Sequence, residues 1–432
     1  PVALFKDHPE YFAMRDAGKA GLQRTSAQPC TTHPEVVQLF IKGALAAFEK
    51  NPSLDLLSVS PNDGTPNMCR CERCAATGTY SDCAWLIAHQ VAEEVRKKYP
   101  GKWIGFYAYG KTSPPPTLKV PADPSLIVQV ATAYNAVPVE EMLKGWPKYV
   151  GGIGVREYFA IPQWGANTPG GALTVAKARR VIPWYQESRA VMINGEACAA
   201  WGSAGLGMYV AAQLMWDTRS DVNALLEEFY ADCFGAAAPA MKSYYERWDR
   251  EKFNRRTLKL ALGDLKQALA AADSLEARKR VAMLAMYLHA LKLYGDFADA
   301  GKDEEERVEA IEAGDTFLWR VKDLGLIHFA GHVWGVQRSA WPWFTLSEAA
   351  QIIEEDLKAL ATVDAVDVET EFSWDLVPAP STPGVAAGRT AAPAGFGQAY
   401  WILSFDRPGT ILLEGSGKEG KLTAQLFRIG GS

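Results

Sequence analysis

The sequence has no excess of positive charge and no long apolar run. It contains 45 Lys and Arg residues against 50 Asp and Glu residues, a formal net charge of −5. Because binding to phosphate backbones needs a basic surface, this balance argues against nucleic acid as a partner. No apolar run reaches the roughly 20 residues that cross a bilayer, so we expect no membrane span.

Targeting and phosphate-binding motifs are also lacking. No signal peptide is visible, and the chain begins at Pro1 in mid-pattern, so we expect a processed or trimmed N-terminus. No glycine-rich loop follows any predicted strand, which argues against a nucleotide-binding, doubly wound sheet. That fold is kept as the alternative to the one predicted below.

Residues 1–240 alternate strand-like and helix-like stretches, as βα repeats around a parallel sheet do. The strands are nearly continuous apolar runs, which is typical of strands buried on both faces. We predict an α/β fold, a (β/α)8 TIM-barrel-like domain in which only six strands are readable and the first two are missing. The predicted strands are Gln23–Gln28, Leu56–Ser60, Trp103–Tyr109, Leu126–Thr132, Gly151–Tyr158 and Arg189–Asn194.

Two further domains are predicted beyond residue 240. Residues 241–370 carry apolar side chains at three- and four-residue spacing, which indicates an α-helical domain. Residues 371–432 begin with a stretch rich in Pro, Ala, Gly and Thr, typical of a linker. Short strand patterns separated by glycine-rich turns follow, and they predict the start of a β-sandwich.

Three acidic residues lie at the ends of predicted strands or just beyond them: Asp63, Glu157 and Glu196. In a TIM barrel the chemistry lies at the C-terminal ends of the strands. Three carboxylates there fit acid/base cleavage of a glycosidic bond, which needs one protonated and one ionised group. Arg156 would favour the ionised form of its neighbour Glu157. The alternatives are an ordinary Asn-Asp-Gly turn at Asp63, an Arg–Glu ion pair at the rim, and a structural carboxylate at Glu196.

Aromatic and polar side chains surround the same strand ends. Tyr and Trp rings have flat apolar faces with a polar edge, which suits them to lying against sugar rings. An ordinary aromatic core is the alternative. The predicted substrate-binding residues are Gln28, Asn62, Tyr107, Tyr109, Tyr134, Arg156, Tyr158, Trp164, Asn194 and Trp201.

Five of the seven cysteines lie before residue 84. The spacing Cys-x-Cys-x-x-Cys brings three sulfurs into one small loop, as a tetrahedral thiolate site requires, with Cys30 or Cys83 as the fourth ligand. Disulfides are the alternative, and a secreted protein would favour them. We expect the cysteines to fasten the loop after Asp63 and expect no cofactor for catalysis, only a possible structural zinc. The predicted ligands are Cys30, Cys69, Cys71 and Cys74.

Several motifs occur together in an order that resembles a known family. They are His8–Phe12, Gln28–Cys30, Ser58–Gly64, Cys69–Cys74, Tyr209–Asp217 and Phe229–Ala237. The set resembles the bacterial family called domain of unknown function 4838, whose members look like distant relatives of α-glucuronidases and family 20 hexosaminidases. The resemblance implies a TIM-barrel glycoside hydrolase of an exported, polysaccharide-degrading system. A secreted or periplasmic location is therefore expected, as is an N-terminal accessory domain that this chain lacks.

The resemblance also implies roles for particular residues. Gln28 would end barrel strand three, Asp63 strand four, Tyr109 strand five, Glu157 strand seven and Glu196 strand eight. Because the general acid of related barrels follows strand four, Asp63 would be the acid. Glu157 or Glu196 would then be the base or nucleophile.

The predicted function is cleavage of a complex acidic or amino-sugar polysaccharide by carboxylate acid/base catalysis. One alternative is a non-catalytic glycan-binding protein with a degenerate barrel. Another is a zinc-dependent hydrolase that uses the cysteine cluster.

Overall fold

The computed structural model describes residues 2–63, 68–161, 167–251, 253–299 and 346–361, with short stretches between 305 and 327. It divides into two compact units. The first unit comprises Pro1–Tyr158 and Val181–Glu196, and the second comprises Phe159–Arg180 and Ala197–Ser432. The predicted three-domain division stays a prediction, and its last part, residues 371–432, lies outside the described residues.

The first unit contains two sheets. The smaller is antiparallel and pairs β1 (Phe12–Asp16) with β2 (Leu22–Pro29). The larger is a curled, parallel half-barrel in which each strand pairs with the next along the chain. Its strands are β3 (Leu56–Ser58), β4 (Trp103–Ala108), β5 (Asp123–Ala131), β6 (Val150–Tyr158) and β7 (Ala190–Glu196).

The predicted strand Gln23–Gln28 belongs to β2, and its expected place in the parallel sheet is wrong. A parallel neighbour needs a long crossover, whereas β1 and β2 are joined by a five-residue turn. Gly21 adopts a φ of 70°, and the amide of Ala17 donates to its carbonyl at 2.8 Å, so the chain reverses at once. The other five predicted strands are confirmed, with ends that differ by a few residues. The complete eight-stranded barrel is not confirmed.

Helices of the first unit follow the βα pattern. The helix α4 (Tyr80–Lys98) begins with a capping box in which Thr79 and Asp82 exchange hydrogen bonds. Its residues His89 and Arg96 both bind the buried Asp123 at the start of β5, at 2.6 and 2.9 Å. The helices are α1 (Val2–Asp7), α2 (Pro34–Lys50), α3 (Glu72–Thr77), α4 (Tyr80–Lys98), α5 (Val139–Gly145) and α6 (Val175–Glu187), of which α6 begins in the second unit.

The second unit is helical, as its apolar spacing predicts. Its core contains the fully buried rings of Tyr244 and Tyr287, and the Tyr287 hydroxyl donates to the carbonyl of Asn167 at 2.6 Å. Within the described ranges, no helix combines the length and apolar character needed to cross a membrane. The helices are α7 (Trp201–Trp216), α8 (Val222–Phe234), α9 (Ala238–Arg250), α10 (Arg255–Ala271), α11 (Leu275–Asp299) and α12 (Leu346–Ala359).

Close packing of β5 against β6 requires glycine at position 151. A Cβ atom added there would overlap the backbone carbonyl of Pro124, which cannot move without displacing the strand. Gly151→Ala should therefore lower the free energy of unfolding by roughly 1–3 kcal/mol in chemical denaturation. Gly43→Ala is the matched control, because Gly43 lies inside α2 with open space around it and should gain about 0.5–1 kcal/mol. Equal stability of both variants would contradict this strand packing.

Candidate active site

The ends of β6 and β7 bring a cation, an amide and a carboxylate together. In the strand register Arg156 lies beside Asn194, and Tyr158 lies beside Glu196. Alternate residues of a strand share one face, so these side chains line the same surface. Arg156 donates to the Asn194 side-chain oxygen at 2.8 Å and also to the Glu196 carboxylate. The result is a charged pair at the C-terminal edge of the sheet.

The polar row continues from β7 across the sheet to β4. The side-chain nitrogen of Asn194 lies 3.4 Å from the Tyr107 hydroxyl and 3.5 Å from the side-chain oxygen of Gln129. Gln129 was not among the predicted substrate-binding residues. It could have been noticed as the one polar residue in the apolar run Leu126–Ala131.

Three tyrosines form a cluster of edge-to-face rings on this surface. The ring centroid of Tyr134 lies 6.4 Å from that of Tyr109 and 5.7 Å from that of Tyr158. The Arg156 guanidinium lies 5.7 Å from the Tyr158 ring centroid, within cation–π distance. Tyr134 is 54% exposed and has a backbone φ of 60°, a value that residues other than glycine rarely adopt. Such conformations are concentrated at functional sites.

Burial and nearby carboxyl groups raise the pKa values of two of these tyrosines. Burial raises the pKa of Tyr158 to about 12, and the nearby Tyr109 and Glu196 add to the rise. Burial also raises the pKa of Tyr109, and the nearby carboxyl groups of Asp63 and Glu196 add to the rise. Both carboxylates therefore lie within electrostatic range of one phenol. Both hydroxyls stay protonated through the neutral range and remain hydrogen-bond donors.

The loop that carries Asp63 is fastened to the end of β2. The Gln28 amide donates to the Asn62 carbonyl at 2.6 Å and accepts from the Asn62 backbone N–H at 3.0 Å. The Asn62 side chain donates to the carbonyl of Ala27 at 2.7 Å. Gln28 and Asn62, both predicted to bind substrate, thus hold the backbone next to Asp63. Asp63 itself is exposed.

Glu157 is not brought together with Glu196 and Asp63. Its position between Arg156 and Tyr158 turns its side chain to the opposite face of β6, where it is fully buried. There it accepts hydrogen bonds from the Thr132 hydroxyl at 2.9 Å, from the backbone N–H of the next residue at 2.8 Å, and from the Tyr185 hydroxyl. The expected pairing of Arg156 with Glu157 is replaced by its pairing with Glu196. No sequence signal connected Tyr185, on α6, with this carboxylate.

Neither of the two predicted tryptophans belongs to the first unit. Trp201 begins α7 in the second unit and is half-exposed. Trp164 lies outside the described residues.

Four of the clustered cysteines converge in the first unit. The sulfurs of Cys30, Cys69, Cys71 and Cys74 all lie within 4.8 Å of one another, and all four residues are buried. None of the four forms a disulfide. Cys83, the other fourth ligand considered, instead directs its thiol to the carbonyl of Cys74 at 3.6 Å. Among the residues that the structure describes, these four form the group that could hold a metal ion.

Fold and site together define an α/β protein with a parallel half-barrel, whose strand ends gather carboxylates, tyrosines and an arginine. The family model named Domain of unknown function (DUF4838) matches residues 2–246, more than half of the chain. The protein therefore belongs to this family, which confirms the resemblance seen in its motifs. No curated protein matches the chain.

Among the solved structures that match, one aligns with about three quarters of this chain. An O-GlcNAc hydrolase mutant from Thermobaculum terrenum shares 11% sequence identity, with a TM-score of 0.39, over 77% of this chain and 76% of that one. With values this low, the activity of the present protein has to be argued from its own side chains.

Glu157 should contribute mainly to stability. Glu157→Gln replaces one accepting oxygen with an NH2 group, which leaves a hydroxyl donor without its acceptor inside the fold. Tyr185→Phe removes the matching donor. Each substitution should lower the free energy of unfolding by about 1–3 kcal/mol in urea denaturation. Glu93→Gln, at an exposed position within α4, is the matched control and should change stability little. Wild-type stability of Glu157→Gln would contradict the buried hydrogen-bond network.

Proposed function

We propose that this protein is a glycoside hydrolase that cleaves a complex acidic or amino-sugar polysaccharide, with Asp63 and Glu196 as its reacting carboxylates. The observation that carries the proposal is the meeting of Glu196 with Arg156 beside the tyrosine cluster. The shared influence of Asp63 and Glu196 on Tyr109 supports their assignment to a single site. Glu157 is left out of the catalytic pair because its carboxylate is buried on the other face.

The two carboxylates would divide the chemistry between them. Asp63 would donate a proton to the glycosidic oxygen as the bond to the anomeric carbon breaks. Glu196, bound by Arg156, would either attack that carbon or take a proton from the attacking water. Which of the two occurs determines whether the configuration is retained or inverted.

Arg156 and the tyrosines would bind the sugar. Exposed Tyr134, with Tyr109 and Tyr158, offers ring faces and hydroxyl donors. The guanidinium has five N–H donors, so it can bind Asn194, Glu196 and an acidic substituent of the substrate together. This positive charge is the reason for including acidic polysaccharides in the proposal.

The proposed substrate implies a location for the protein. Enzymes that act on polymers too large to enter a cell work outside the cytoplasm, so secretion or export to the periplasm belongs to the same proposal. An N-terminal accessory domain in a longer protein is proposed on the family resemblance alone.

A non-catalytic glycan-binding protein is the second candidate. The exposed ring of Tyr134 and its contacts with Tyr109 and Tyr158 favour it, because aromatic rings can bind a sugar without a reacting carboxylate. Calorimetric binding of an oligosaccharide, with no product from any acidic or amino-sugar glycan, would support this candidate. The third possibility, a hydrolase that uses a cysteine-bound zinc, loses support because four sulfur ligands would leave no coordination position open.

Substitution of either proposed catalytic carboxylate should abolish most of the activity. Asp63→Asn and Glu196→Gln should each lower kcat by about 100-fold or more in a reducing-end assay on acidic and amino-sugar polysaccharides. Glu93→Gln is the matched control and should keep full activity. Wild-type kcat in both site variants would refute the assignment.

Tyr134 should matter for affinity more than for the reaction. Tyr134→Ala removes an exposed ring and should raise KM roughly 2- to 10-fold with little change in kcat. Tyr134→Phe keeps the ring and should stay close to the wild type. A loss confined to kcat in Tyr134→Ala would contradict a stacking role.

A further inference from the structure

The cysteine cluster joins two separate segments of the first unit. Cys30 directly follows β2, Cys69 and Cys71 lie between the Asp63 loop and α3, and Cys74 belongs to α3. The cluster therefore crosslinks, through its side chains, segments that are about 40 residues apart in sequence.

The distances between the sulfurs fit a single tetrahedral ion. A zinc–sulfur bond of about 2.3 Å gives tetrahedron edges of roughly 3.8 Å. The Cys30 sulfur lies 3.6 Å from those of Cys69 and Cys71 and 3.8 Å from that of Cys74. A disulfide would need about 2.05 Å, and these distances are far longer. An iron–sulfur cluster, which places its own atoms between the cysteines, would hold the sulfurs farther apart.

Hydrogen-bond donors surround the sulfurs as they do in thiolate metal sites. The backbone N–H of Met14, in β1, donates to the Cys69 sulfur at 3.3 Å. The Thr32 hydroxyl lies 3.1 Å from the Cys74 sulfur and 3.8 Å from that of Cys30. Such outer contacts orient ligands and stabilise their negative charge. Thus Met14 and Thr32 both support the cluster without being ligands.

The site is closed and buried. Cys30 is fully buried, and the other three cysteines are at most 7% exposed. A catalytic zinc keeps one position open for water or substrate, whereas four protein sulfurs complete a structural site. Soft thiolate ligands in a tetrahedral arrangement favour Zn²⁺ over Mg²⁺ or Ca²⁺, which prefer oxygen.

We propose that Cys30, Cys69, Cys71 and Cys74 bind one structural Zn²⁺, which fastens residues 68–71 and α3 to the β1–β2 hairpin. Gln28, two residues before Cys30, holds the backbone of Asn62 on the other side of the same loop. The metal and this amide would therefore hold one residue on each side of Asp63: Cys69 through the metal and Asn62 through the amide. The metal site itself does not depend on the proposed activity, so the two can fail separately.

The first test is metal analysis of the purified full chain under reducing conditions. Inductively coupled plasma mass spectrometry should find one zinc per chain. Replacement by Co²⁺ should produce the intense charge-transfer bands and visible d–d bands of tetrahedral cobalt thiolate. Iron in place of zinc, or a mass map with disulfides among these four cysteines, would overturn the proposal, as would metal-free protein that fails to bind added Zn²⁺ or Co²⁺.

Two serine variants separate the ligands from their neighbour. Cys30→Ser should lose most of the bound zinc and the cobalt thiolate bands. Cys83→Ser should keep both, because Cys83 is equally buried but directs its thiol to a carbonyl. The reverse result would overturn the ligand set. If Cys30→Ser does not fold, the metal content and cobalt spectrum of Cys83→Ser and wild type decide the question.

Removal of the metal from the wild-type protein tests its structural role. A thiol-specific mercurial with a chelator should release the zinc, lower Tm, and make cleavage by trypsin after Arg70 and Arg73 at least about 10-fold faster. Adding thiol and Zn²⁺ should restore both. Unchanged Tm and cleavage after complete zinc loss would refute a structural role.

Discussion

The contact between Arg156 and Glu196 is the interaction on which the site depends. It joins β6 to β7 at the edge where parallel strands end, and it sets the charge beside the tyrosine cluster. The strand register brings the two side chains close together. Arg156 lies next to Asn194, and Glu196 is two residues further along the same face of β7. The same alternation sends Glu157 to the opposite face, where it stabilises the fold.

Two features of the first unit hold the site residues in place: the buried core of the sheet and the contacts of the loop that carries Asp63. The buried strands of the half-barrel carry Tyr107, Arg156 and Glu196 on their ends, so their positions follow from the core. Asp63 lies on a loop, and a loop has no register to position it. The Gln28–Asn62 hydrogen bonds supply part of that support, and the proposed zinc supplies the rest. A rigid sheet and a fastened loop together would give two carboxylates a fixed relation.

Much of this arrangement could be predicted from the sequence, and the failures have physical causes. Five apolar runs predicted the parallel strands, because strands buried on both faces need continuous apolar side chains. Gln23–Gln28 misled because its composition resembles a sheet strand, while the tight turn at Gly21 decides its partner. Glu157 was expected in one site with Arg156 and Tyr158, but consecutive residues of a strand alternate between its two faces, so Glu157 lies on the opposite one. Cys-x-Cys-x-x-Cys identified a thiolate cluster, but only the folded chain selects Cys30 over Cys83.

The most direct test compares two glutamates of neighbouring strands in one assay. kcat would be measured for Glu196→Gln and Glu157→Gln on the same polysaccharide, with each value expressed per folded molecule from the circular dichroism signal. The account predicts that Glu196→Gln is folded and nearly inactive, whereas Glu157→Gln is less stable but turns over at close to the wild-type rate. Full activity in Glu196→Gln, with loss of turnover in folded Glu157→Gln, would contradict it.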